Sequence, residues 1–149
     1  MLNSSLRKTE DEDGYAVCTG LRTIEGAQEL YDWFGYWPSF HDGEVESLQL
    51  NRRGPSLLVV HTWEMTDEID DRNFYVVKKH VVVEFVLFEV SELELTGFSN
   101  QNVLSHLEVE KKDAGYRLRL DQCYGLSGII EAKTVAIRLN PGKPTDNQP

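Results

Sequence analysis

The 149-residue chain lacks any long hydrophobic run, and no apolar stretch approaches the roughly 20 residues that span a bilayer. Its first 14 residues are polar and then acidic, and they lack the apolar stretch of a signal peptide. These absences predict a cytoplasmic protein without a membrane partner.

Cysteine is scarce. Cys18 and Cys123 are far apart in the sequence and do not form a Cys-x-x-Cys pair. One disulfide between them is an alternative, but a cytoplasmic location favours two free thiols.

Basic residues are outnumbered, with 15 lysines and arginines against 25 acidic residues and a net charge of −10. This balance argues against a nucleic-acid partner, because binding to a phosphate backbone needs clustered lysines and arginines. It suits a basic protein partner, although simple solubility explains an acidic surface equally well.

Complete catalytic motifs are also missing, since the chain has no glycine-rich phosphate loop and no dinucleotide fingerprint. Gly125-Leu126-Ser127-Gly128 is one residue short of a nucleophile elbow, and no histidine follows Ser127. We therefore expect a protein that is not an enzyme and that uses no cofactor.

The pattern that is present predicts one helix followed by strands. Thr23 is a candidate N-cap and Gly35 a candidate helix stop. Between them an apolar stripe recurs at spacings of three and four, formed by Ile24, Ala27, Leu30, Tyr31 and Phe34.

After the helix, apolar and polar residues alternate with a period of two, which is typical of antiparallel strands with one solvated face. Residues 56–65 and 74–90 are more continuously apolar and should be central, and the acidic residues 67–73 should form a turn between them. The predicted fold is α+β: a mostly antiparallel sheet, either curved or a small sandwich, with an N-terminal helix packed on it. We expect a frayed arm at 1–14, a single domain at 15–140 and an irregular tail at 141–149.

Residues 36–44, which we call the corner, have the sequence Tyr-Trp-Pro-Ser-Phe-His-Asp-Gly-Glu. One interpretation is a metal or catalytic centre at His41, Asp42 and Glu44, helped by His80. The other is a rigid turn in which Pro38 and Gly43 set the backbone and Asp42 accepts backbone N–H bonds. Turn chemistry explains each residue type, so we favour the second and expect Trp37 and Phe40 to anchor the corner in the core.

Two further groups could carry function. His61 and His80 would approach each other if their strands form a hairpin, and with His41 or Glu84 they could complete a zinc site. The spacing does not match a known metal motif, so we expect no metal. Four acidic residues form a hairpin tip that could contact a basic partner: Asp67, Glu68, Asp70 and Asp71.

The string Trp37-Pro38-Ser39-Phe40-His41-Asp42-Gly43-Glu44, preceded by Tyr31-x-Trp33-Phe34-Gly35-Tyr36, resembles the immunity protein 50 family. The resemblance implies a small bacterial α+β protein that neutralises a toxin by occupying it, without turnover. It singles out Trp37, Phe40, His41, Asp42 and Glu44 as family-motif residues.

The leading hypothesis is thus an immunity protein that binds a cognate toxin, as a monomer or a homodimer. The net charge of −10 would suit a basic toxin. The competing hypothesis is a small metal-dependent hydrolase or ligand-binding protein centred on His41, Asp42 and Glu44.

Overall fold

The computed structural model describes residues 20–144, and these form an α+β fold that confirms the predicted class. A short helix precedes six strands, whose bounds in chain order are α1 (Ala27–Phe34), β1 (Glu44–Gln49), β2 (Ser56–Ile69), β3 (Tyr75–Thr96), β4 (Val103–Lys112), β5 (Gly115–Tyr124) and β6 (Ser127–Pro141).

The six strands form one closed antiparallel sheet in the order β1-β2-β3-β6-β5-β4. The longest ladder joins β3 to β6, from Val81–Pro141 to Thr96–Ser127. The shortest joins β1 to β4 through the single pair Glu44–Val103. Of the two predicted arrangements, the curved sheet is the one observed and the small sandwich is not: the sheet curves far enough to meet itself, and the β1–β4 junction is its seam.

Alternating residues of the strands point into the closed sheet and form the core. Val81, Val83, Phe85 and Leu87 of β3 are fully buried, because alternate residues of a strand point to the same face. They pack with inward residues of β2, β4, β5 and β6 in one hydrophobic cluster. The polar residues that alternate with them lie on the outer face of the sheet, which contacts solvent.

The helix begins later than predicted. Gly26, in a left-handed conformation with φ 90°, is the N-cap of α1, and Gly35 ends the helix as expected. The Thr23 hydroxyl donates to the Gly20 carbonyl instead of capping α1, so the Thr23 N-cap prediction is wrong. The peptide N–H of Ile137 in β6 donates to the Glu25 carbonyl at 2.8 Å, which fixes the start of α1 against the sheet.

Most of the predicted helix stripe is buried. Ile24, Ala27, Leu30 and Phe34 join the core cluster. Tyr31 differs because it is 36% exposed and lies instead against Trp37, with ring centroids 5.1 Å apart.

Strands β2 and β3 are longer than the sequence predicts. The acidic segment expected as a turn at 67–73 is partly strand, because β2 continues to Ile69 and pairs there with Tyr75. The last pair of β2 with β1 is at His61, and the first pair of β3 with β6 is at Val81. Residues 62–80 therefore extend beyond the neighbouring strands as a two-stranded ribbon, which we call the arm.

The N-terminal residues 1–14, which the sequence predicts to be frayed, lie outside the described residues, and so does Cys18. Cys123 is exposed and is a free thiol. Within residues 20–144, none of the helical segments has the length and hydropathy of a membrane span.

Candidate functional site

The corner closes the seam of the sheet through its backbone. The N–H of Asp42 donates to the Leu104 carbonyl at 2.9 Å, and the N–H of Leu104 donates to the Gly43 carbonyl at 2.8 Å. Further along, the N–H of Leu107 donates to the Ser39 carbonyl at 3.1 Å. The corner thereby extends the β1–β4 ladder that has only one residue pair of its own.

The left-handed dihedrals of the corner fall on Phe40 (φ 66°) and Asp42 (φ 67°). The prediction that Gly43 supplies the permissive conformation is wrong, because Gly43 has no positive φ. Gly43 instead lies in a tight contact, since a Cβ there would be 3.0 Å from the Phe40 carbonyl oxygen. The Asp42 carboxylate lies 3.6 Å from Nε2 of His41. No backbone N–H of residues 20–144 donates to it, so the prediction that this carboxylate accepts backbone N–H bonds is wrong. Asp42 thus serves the corner through its backbone conformation.

Aromatic packing holds the corner in place. Phe40 is 1% exposed and its ring centroid lies 5.7 Å from that of Phe85 in β3. Trp37 is half-buried against the edge of the same core, while Tyr36 is 43% exposed. Phe40 is therefore the main anchor of the corner.

The structure does not bring His41 together with Glu44. Nδ1 of His41 lies 2.9 Å from the Ser105 carbonyl oxygen, and the ring is exposed. The alternative hypothesis of a hydrolase or ligand-binding centre at His41, Asp42 and Glu44 therefore gains no support from the contacts of His41.

A different cluster forms on the outer face of β1, β2 and β3, and it contains Glu44. His61, which is 7% exposed, points its Nδ1 at Oε1 of Glu44 (3.4 Å) and its Nε2 at Nδ1 of His80 (3.0 Å). The approach of His61 to His80 across the hairpin is as predicted. Trp63 lies beside both imidazoles, with centroids 4.9 Å from His61 and 5.9 Å from His80.

Burial lowers the pKa of His80 below its usual 6.5, and nearby positive charge from His61 and Lys143 lowers it further. His80 is therefore biased towards the neutral imidazole, which can accept a hydrogen bond from its neighbour at one ring nitrogen.

Glu46 joins this cluster. The β1–β2 register shifts between Val45 and Ser47, so Glu46 is the extra residue of a β-bulge. Carboxylate oxygens of Glu44 and Glu46 and a ring nitrogen of His61 all lie within 4.8 Å of one another. The spacing of two between Glu44 and Glu46, which puts both on one face of a strand, was the available sequence signal for Glu46.

The four predicted acidic residues lie on the arm in unequal roles. Asp67, Glu68 and Asp71 are exposed. Oδ1 of Asp70 accepts the N–H bonds of Arg72 (2.8 Å) and Phe74 (3.0 Å), so this carboxylate shapes the turn.

The arm also carries large exposed apolar side chains that the sequence reading missed. Met65, Ile69, Phe74 and Tyr75 are 51–63% exposed. They flank the acidic residues on both strands. This mixture of apolar and acidic residues in the sequence was the signal that could have predicted an exposed apolar surface. The tip of the arm is thus a mixed apolar and acidic surface of the kind found at protein interfaces.

The root of the arm is attached to the end of α1. Nε1–H of Trp33 donates to the Lys79 carbonyl at 3.0 Å, and Nζ of Lys79 lies 3.7 Å from Oε1 of Glu64. Burial raises the pKa of Tyr36 above 10.0, and the negative charge of Glu64 adds to the effect. The position of the arm is therefore fixed relative to the corner.

These features define a small α+β protein with a closed antiparallel sheet, whose candidate contact groups lie on its outer surface. The immunity protein 50 family model matches residues 26–139, so the chain belongs to that family. No curated protein and no solved structure matches the chain. Membership of an immunity-protein family points to a binding role and a toxin as the general kind of partner.

Proposed function

We propose that this protein neutralises a cognate bacterial toxin in the cytoplasm by binding it directly, without catalysing a reaction. The observation that carries the proposal is the family match over residues 26–139. The net charge of −10 supports a basic partner, because complementary charge accelerates encounter.

The arm is the surface we assign to the toxin. Phe74 (63% exposed) and Tyr75 (60% exposed) provide aromatic side chains of the type that dominate binding energy when a partner buries them. The corner is a weaker candidate, because Phe40 is buried and Trp37 is half-buried in the fold itself.

The unpaired acidic side chains of the arm are the groups we expect to attract a basic toxin during association. Nζ of Lys78 lies 3.2 Å from Oε2 of Glu68, so this carboxylate is partly neutralised. Asp67 and Asp71, on either side of the end of β2, make no ion pair within the described residues. They are the carboxylates we expect to attract basic toxin side chains.

The test is co-expression with the toxin-like product encoded beside the gene, with cell growth and purified-complex affinity as readouts. We expect the wild-type protein to restore growth and to bind. If no neighbouring product binds and no toxicity is relieved, the proposed function is wrong.

Matched variants locate the interface. Phe74→Ala should weaken binding by about 30-fold or more, as expected for an aromatic hot spot. Phe98→Ala removes a similarly exposed phenylalanine (59%) outside the arm and should leave affinity within about twofold. Equal effects of the two variants would exclude the arm as the interface.

Electrostatic steering has its own control. Asp67→Asn/Asp71→Asn should slow association and reduce its salt dependence. Glu92→Gln/Glu94→Gln removes the same charge from exposed positions near the far end of β3 and should change association less.

A further inference from the structure

The outer-face cluster of Glu44, Glu46 and His61 has the composition and spacing of a divalent metal site. These side chains come from adjacent strands, with both carboxylates on β1 and the imidazole on β2. We infer that this cluster binds one divalent transition-metal ion, with zinc as the best match. Two carboxylates and one imidazole would be the ligands, and one position would remain for water.

The distances support tetrahedral coordination. Metal–ligand bonds of about 2.0–2.2 Å imply a separation of about 3.4 Å between two ligand atoms of a tetrahedral zinc ion. Oε1 of Glu44 and Nδ1 of His61 are separated by 3.4 Å. The Glu46 carboxylate is exposed and has an oxygen within 4.8 Å of both ligand atoms.

A neighbouring side chain holds the second ring nitrogen of His61. Nε2 of His61 lies 3.0 Å from Nδ1 of His80, while Nδ1 of His61 faces Oε1 of Glu44 at 3.4 Å. An imidazole whose second nitrogen is held by a neighbour is how metal-binding histidines are oriented.

Burial makes His61 a rigid ligand. The residue is 7% exposed and its ring is covered by Trp63 and His80, so it loses little side-chain freedom on binding an ion. The imidazole also sets the metal class, because oxygen ligands alone suit magnesium and calcium whereas an imidazole suits zinc.

Zinc titration of the full chain, after removal of bound metal with a chelator, tests the inference. Calorimetry should show saturable binding of one zinc ion, and zinc should raise the melting temperature. Magnesium should not compete at equal concentration. An absence of saturable zinc binding, or equal binding of magnesium, would overturn the assignment.

Three variants make the test specific to the site. Glu46→Gln, at an exposed position that should fold normally, should weaken zinc binding by at least about tenfold, and His61→Gln should abolish it. His106→Gln is the matched control, because His106 lies 2.9 Å from a carboxylate of Asp121 elsewhere on the sheet. Unchanged affinity in Glu46→Gln, or an equal loss in His106→Gln, would show that zinc binds elsewhere.

Discussion

The left-handed backbone at Asp42 makes a sharp prediction about the corner. At φ 67° an ordinary L-residue is strained by about 1–2 kcal/mol, whereas glycine is not. Asp42→Ala should therefore destabilise the protein by about 1 kcal/mol relative to Asp42→Gly. Both variants lose the 3.6 Å contact between the side chains of Asp42 and His41. Both side chains are exposed, so this contact contributes little to stability, and its loss cancels when the two variants are compared.

His41 provides the matched control one residue away. It does not have a positive φ, so glycine there should be less stable than alanine by about 0.5–1 kcal/mol. Both His41 variants lose the contact with the Ser105 carbonyl. The stability difference between glycine and alanine should thus change sign between positions 41 and 42.

Urea unfolding followed by tryptophan fluorescence measures these differences directly. If Asp42→Ala is as stable as Asp42→Gly, the backbone explanation of Asp42 is refuted. Toxin neutralisation gives a second readout: Asp42→Gly should neutralise like wild type, because the carboxylate has no assigned contact with the toxin. A folded Asp42→Gly protein that no longer neutralises would place Asp42 in the interface.

Two further predictions concern α1 and its attachment. Glu64→Gln should lower the pKa of Tyr36 only partly, since burial is the larger cause of its elevation, and a tyrosinate absorbance titration with a Tyr36→Phe reference checks this. Because the folded state favours the neutral phenol of Tyr36, the free energy of unfolding should fall as the pH rises above 10.0. If wild type and Tyr36→Phe show the same pH dependence of stability, the raised pKa of Tyr36 is contradicted. Gly35→Ala should cost about 1 kcal/mol from its φ of 83° alone, as its surroundings are open. Gly26→Ala should cost about 1–3 kcal/mol more in urea unfolding, because its Cβ would collide with the Ile137 carbonyl; equal costs would refute the close packing.

The sequence predicts local features of this fold better than distant ones. Period-two alternation identifies the strands, and Gly35 marks the helix end, because both depend on neighbouring residues. Closure of the sheet depends on accumulated twist and on Glu44 meeting Val103, which no local pattern encodes. The acidic residues around Asp67 look like a loop by composition, yet pairing with β3 makes that segment strand.

The candidate sites also divide into contacts that the sequence predicts and contacts that it does not predict. Hairpin register was enough to predict that His61 approaches His80. His41 and Glu44 do not contact each other. The backbone turns through the left-handed region at Asp42, so the side chains on either side of the turn point in different directions. Glu46 was missed although its spacing of two from Glu44 places both carboxylates on one face of β1.

The seam also has a consequence for folding kinetics. Its partners are about 60 residues apart in the chain, whereas β4–β5 and β5–β6 are joined by tight connections. Those hairpins can form from local encounters, but the seam must wait until the intervening strands have brought its two sides together. We therefore expect seam closure to be the last step of folding, and amide protons of the corner to exchange with solvent before those of the β3–β6 ladder.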